Sequence, residues 1–121
     1  MTVPTPYANS KSCAELAAAC YKRSFFEHGN VILSTARAGN VIGGGDFAVD
    51  RIIPDCVRAA ISGGEMVVRN PYSIRPYQHV LEPVFAYLSI AANQHGMPER
   101  YSGCYNIGPD DCDCVTTGAL A

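Results

Sequence analysis

What most restricts this chain is how quickly one repeat period gives way to another. From Lys11 to His28 the apolar residues Cys13, Ala14, Leu16, Ala17, Ala18, Cys20, Tyr21 and Phe25 fall on one wide arc of a helical wheel. Glu15, Lys22 and Arg23 fall on the opposite side, with Phe26 the one large apolar residue among them. Gly29 suits the end of such a helix. Val31–Ala36 then reads as a short buried strand, β-prone and too brief for a helix. Arg37–Asp46 is too glycine-rich for a regular element, and beyond it the exchange repeats. A helix is expected over Ile52–Ile61, closed by Ser62-Gly63-Gly64, and a short strand over Glu65–Arg69. Asn70–Ser73 is a turn and Ile74–His79 is extended, because Pro76 has no place inside a helix. A further helix is expected over Val80–Gln94, and a last strand over Gly103–Ile107. From Asp110 onward neither period is evident. Helices alternating with strands make this an α/β chain, and the wide arc predicts a helix packed on a sheet and against a further partner.

A chain of 121 residues with 48% apolar residues suits one domain, and its net charge of −2 argues against nucleic acid or an anionic membrane as partner. The apolar runs are too short to cross a bilayer, and the N-terminus lacks a basic-then-apolar leader pattern. A cytoplasmic location is therefore expected. Cys13, Cys20, Cys56 and Cys104 lie singly in apolar or helical patterns, where cysteine acts as a small buried hydrophobe in a reducing compartment. Cys112 and Cys114 form Cys-Asp-Cys, with no second pair at zinc-ligand spacing, so no metal site is expected.

Chemistry concentrates near the start. Thr5 is a good helix N-cap and Pro6 a good first helical residue. On that helix Tyr7 and Lys11 stack one turn apart. An ammonium beside a phenol favours the phenolate, the form that takes up a proton. On spacing alone such a pair is more often an ordinary surface contact. Gly43-Gly44-Gly45 is a weak candidate phosphate cradle, since it lacks the Lys-Ser/Thr of a P-loop. Arg37, Arg51, Arg69 and Arg75 fall at or near the ends of expected elements, where α/β folds bind ligands and a guanidinium fork suits phosphate. His79 is a candidate beside them, though a hydrogen-bonded structural histidine is the commoner case.

Tyr7-Ala8-Asn9-Ser10-Lys11 resembles the Tyr-x-x-x-Lys signature of extended short-chain dehydrogenase/reductase proteins. The runs Arg37–Asp46, Asp50–Asp55, Arg69–Pro83 and Tyr105–Pro109 resemble, more specifically, the CDP-glucose 4,6-dehydratase family. The resemblance implies an incomplete Rossmann-like fold: the later part of the nucleotide-binding domain and part of the substrate domain. The glycine-rich turn of a dinucleotide binder is not in the chain, and six residues before Tyr7 leave no room for it. Residues 1–110 are expected to be this partial domain and residues 111–121 a divergent tail.

The same resemblance implies an NAD-dependent lyase that turns CDP-glucose into CDP-4-keto-6-deoxyglucose by oxidation at C4 and loss of water. It implies Tyr7 and Lys11 as catalytic residues that also face the cofactor, with Arg37 as a further cofactor contact. Asn40, Arg51, Arg75 and His79 are implied as substrate contacts, with Arg51–Asp55 and the turn before Arg75 helping to enclose the nucleotide. This chain by itself is expected to be inactive and to bind NAD weakly, and the complete protein is expected to form a homodimer or larger homo-oligomer. A non-catalytic remnant or association module is one alternative; a sister nucleotide-sugar epimerase or dehydratase is another. The Arg37–Asp46 run argues against the sister enzymes.

Overall fold

A computed structural model of the chain describes residues 5–29 and 31–121. It has two compact units, residues 1–36 with 89–105, and residues 37–88 with 106–121.

The first unit is led by α1, Pro6–Tyr21, which runs on into a π-helical turn at Lys22–Phe26. Thr5 caps it as its side chain demands: Oγ1 accepts a bond from the Ala8 amide at 3.2 Å, and Pro6 takes the first turn. The helix therefore begins at Thr5–Pro6 and stops at Phe26, short of His28. Its packing reverses the expectation from the helical wheel. The half-buried residues are Glu15 and Phe26, on the charged side, and Ala18 at the adjoining edge of the apolar arc. The wide apolar arc faces out, with Leu16 71%, Tyr21 58% and Phe25 68% exposed.

The reason is polar. Glu15 Oε2 accepts from the Thr35 hydroxyl at 3.1 Å, and Lys22 Nζ donates to Ser102 Oγ at 3.0 Å. Ser34 Oγ accepts from the Gly103 amide at 2.8 Å and from Gln94, whose amide also donates to the Tyr101 carbonyl at 3.0 Å. The strand here, β1, is Thr35–Ala38, so Val31–Ser34 of the expected strand has no ladder among the described residues. Its partner β5, Cys104–Ile107, lies where a last strand was expected.

In the second unit β2, Asn40–Ile42, pairs in parallel with β4, Tyr77–His79, in the register Asn40↔Tyr77, Val41↔Gln78, Ile42↔His79. The glycine-rich run read as irregular thus contains a strand. Gly39 permits it: a Cβ there would lie 2.9 Å from both Pro76 Cγ and the Pro76 carbonyl oxygen. The junction is closed by the Gly39 amide and Gln78 Nε2, both donating to the Ile107 carbonyl at 3.1 and 3.2 Å. Gln78, Pro54 and Pro83 are the buried residues, and among the described residues no large apolar side chain is fully buried.

Helix α2, Ile52–Ser62, ends as expected at Gly63, whose φ of 64° is the left-handed conformation glycine adopts freely. Helix α3, Leu81–Gly96, follows β4 directly. A short helix α4, Pro98–Tyr101, precedes β5. Glu65–Arg69 carries the alternation of a strand, with Met66 and Val68 half-buried, but has no ladder partner among the described residues. Instead it forms one wall of a cavity.

The region after Asp110 is also more ordered than its sequence suggests. A 3₁₀ turn at Asp111–Asp113 leads to β6, Val115–Thr116, and to the short helix α5, Thr117–Leu120. β6 pairs antiparallel with β3, Ile74–Arg75, in the register Ile74↔Thr116 and Arg75↔Val115. The cysteines correct the expectation of buried thiols. Cys13, Cys20, Cys104 and Cys112 are exposed, Cys56 and Cys114 are half-buried, and all six are free. Cys13 and Cys20 lie on the arc of α1 that turned outward, and the exposed stretches of β5 and the 3₁₀ turn carry the other two.

Candidate functional site

Tyr7 and Lys11 stand on the first turns of α1, where helical spacing alone brings them together. Lys11 Nζ sits 5.2 Å from the centre of the Tyr7 ring, a cation–π contact. Tyr7 is 73% exposed, so ring and ammonium are both open to a ligand. Ser10 Oγ donates to the Tyr7 carbonyl at 2.7 Å, an intrahelical bond at its base.

The second unit holds a cavity of about 260 Å³ lined by Asp50, Ile52, Asp55, Met66, Val67, Val68, Arg69, Asn70, Ser73, Arg75 and Thr117. Four separate stretches of chain build it. One wall is apolar, from Ile52 and the Met66–Val68 run; the polar side carries two guanidinium groups. Arg69 Nη2 is tied to Asp50 Oδ1 at 3.2 Å. Asp50 holds this place with a φ of 61°, a left-handed conformation that Asp tolerates better than most residues. Asp55 pairs with Arg58, whose guanidinium also donates to the Phe47 and Ala48 carbonyls, each at 3.1 Å. Arg75 is exposed and has no ion-pair partner among the described residues. It is the cation of this cavity that remains available for an anion.

The other expected site residues are distributed differently. Arg37 is exposed on β1, and Asn40 opens β2 with its amide donating to the Pro76 carbonyl at 3.1 Å. Arg51 precedes α2 and lies 3.7 Å from Asp46. His79 Nδ1 accepts from the Leu81 amide at 3.3 Å, so it caps the start of α3. Of the four expected substrate contacts only Arg75 lines the cavity. Asp50 and Thr117 are cavity residues that the substrate reading left out, whereas Asn70 and Ser73 belong to the turn before Arg75, which the resemblance set around the nucleotide. Asp50 opens the Asp50–Asp55 run; nothing in the sequence around Thr117 pointed to it.

No family model matches the chain. The chain is similar to a CDP-glucose 4,6-dehydratase of Salmonella typhimurium, with 48% identity over 116 aligned residues covering 92% of this chain. In structure it is similar to a UDP-N-acetylglucosamine 4-epimerase from Methanobrevibacter ruminantium M1, solved in complex with UDP-N-acetylmuramic acid. That match has a TM-score of 0.77 and 22% identity over 99% of this chain. The chain spans 32% of the dehydratase's length and 36% of the epimerase's. The chain is therefore a segment with the incomplete Rossmann-like fold of the extended short-chain dehydrogenase/reductase family, and in sequence it is similar to CDP-glucose 4,6-dehydratase.

Proposed function

We propose that the full-length protein carrying this segment is a nucleotide-sugar 4,6-dehydratase that converts CDP-glucose to CDP-4-keto-6-deoxyglucose. The observation that carries the reading is the cavity, with an apolar wall opposite Arg75, in a chain 48% identical to a dehydratase of that name. A nucleoside diphosphate has the matching halves: a flat base for the apolar wall and phosphates for the guanidinium. Arg75 is thus the phosphate contact. Asn40, Arg51 and His79 are assigned around the sugar and nucleotide, with His79 acting through its cap on α3.

Tyr7 is the general base, taking the proton of the sugar 4-hydroxyl at its phenolic oxygen. Lys11, one turn on, sets a positive charge over the Tyr7 ring. The exposed phenol and ammonium also suit the hydroxyls of a ribose, so Tyr7 and Lys11, with Arg37, are the residues that would hold NAD. When bound, NAD supplies the acceptor for the C4 hydride. Elimination of water across C5 and C6 needs further acid and base groups, which we do not assign to this segment. The protein works in the cytoplasm as a homodimer or larger homo-oligomer. A second reading, an association module without catalysis, draws support from the large apolar side chains left exposed on α1.

Calorimetric titration of the chain with CDP-glucose tests the substrate end, since the whole cavity lies within one unit. Saturable binding that weakens in Arg75→Ala is expected. No binding by the unaltered chain would overturn the assignment of the cavity.

A further inference from the structure

The segment Pro71–Pro76 presents Arg75 to the cavity, yet little of its own structure holds it. Its internal turn bond, the Ser73 amide to the Asn70 carbonyl, is long at 3.4 Å. Its far end is anchored at the Pro76 carbonyl by the Asn40 amide, and the restraint on the turn itself comes from the segment after Cys114. The Thr117 amide and the Thr117 hydroxyl both donate to the Ser73 carbonyl, at 2.8 and 2.9 Å, using both of its lone pairs. The Gly118 amide donates to the Pro71 carbonyl at 2.8 Å. The fit there is tight: a Cβ on Gly118 would lie 2.9 Å from Pro71 Cβ and 3.1 Å from the Pro71 carbonyl oxygen. β6 then runs along β3 with Val115 opposite Arg75. The strap is itself closed by Thr116, whose hydroxyl accepts from the Ala119 amide at 3.2 Å. Ser73, Arg75 and Thr117 all line the cavity.

We propose that Val115–Gly118 is a strap that fixes the Pro71–Arg75 turn so that Arg75 meets the anionic end of the ligand, with Thr117 as the positioning residue. This rests on the reading of the cavity as a nucleotide-sugar site. An arginine side chain already loses considerable rotamer freedom when it grips a phosphate. A turn that is also free adds its own ordering cost to binding, and the strap removes that cost before the ligand arrives.

The test compares the dissociation constants of CDP and of cytidine, which lacks the phosphates, for the 121-residue chain and its variants. Thr117→Val keeps the shape and loses the hydroxyl donor. It should weaken CDP by about 3- to 10-fold, the worth of one hydrogen bond, and leave cytidine unchanged. Thr117→Ser should restore CDP binding. In an Arg75→Ala background Thr117→Val should cost nothing further, because the two act as one unit. Gly118→Ala pushes the strap off Pro71 with Thr117 intact and should show the same phosphate-selective loss. It carries the test if circular dichroism shows that Thr117→Val does not fold. Equal losses for CDP and cytidine, or a loss undiminished without Arg75, would overturn the proposal. CDP binding that is untouched by both variants would overturn it alone. Failure of the unaltered chain to bind CDP would overturn the reading of the cavity, and this inference with it.

Discussion

Tyr7–Lys11 and the cavity around Arg75 are assembled in opposite ways. The first is a matter of one helical turn: a cap at Thr5, a proline at Pro6, and two side chains brought together by the pitch of the backbone. No long-range contact is needed to form it. The second draws on residues 50–55, 66–70, 73–75 and 117, and exists only when four stretches of chain have been brought together. A local pair keeps its geometry as long as its helix does. In a cavity of this kind each tie that is cut loosens the placement of the residue it holds, which is why the polar contacts at Ser73, Asp50 and Gly118 matter more than their exposure suggests.

The sharpest way to separate the two is by the kinetic parameter each controls. In the full-length enzyme Tyr7→Phe should lower turnover by about 10²–10⁴-fold with substrate binding little changed, since it removes a base and keeps the ring. Steady-state kinetics with CDP-glucose decides this, and near-full turnover would remove Tyr7 from the role. Arg75→Ala should instead weaken CDP-glucose binding by roughly 1.5–3 kcal/mol, the range of a charge-assisted contact, with a smaller effect on turnover. Titration of the 121-residue chain with NAD should show weak binding at most, because on the proposed reading Tyr7 and Lys11 would hold only one end of a long ligand. Low-micromolar affinity would break the comparison, by showing that the local pair belongs to a more complete site.

Two smaller effects sharpen it further. With Leu16, Tyr21 and Phe25 exposed on α1, the chain should self-associate, and Phe25→Glu should reduce this in analytical ultracentrifugation. A concentration-independent monomer before any substitution would count against it. Gly63→Ala, at a φ of 64°, should cost about 1 kcal/mol in thermal unfolding with little effect on CDP-glucose binding.

Several features were legible because their causes are local. The start of α1, the extent of α2 with its glycine end, the helix after His79 and the strand ending at Ile107 all follow from caps, periods and proline positions. Arg75 was expected as a substrate contact from its run of neighbours, and it lines the cavity. Three readings went astray for related reasons. The Arg37–Asp46 run hid β2, since its glycine count masked the β-branched Val41-Ile42 and Gly39 is there for a close approach to Pro76. Glu65–Arg69 looks like a strand but lines the cavity unpaired. Cys13 and Cys20 were expected inside because the apolar arc of α1 was.

What the sequence by itself determined is therefore the set of local choices: where helices start and stop, that Tyr7 and Lys11 share a face, and that the chain alternates as an α/β fold. The direction in which α1 faces was decided only in three dimensions. There Glu15 meets the Thr35 hydroxyl and Lys22 meets Ser102, so the polar stripe turns inward against the wheel's apolar arc. The same holds for the strap. Val115–Gly118 has no period of its own, and β6 and the Thr117 contacts exist because the Ser73 and Pro71 carbonyls need donors that the local turn does not supply. A backbone group's partner across 44 residues is a tertiary fact, and no local pattern around Thr117 encodes it.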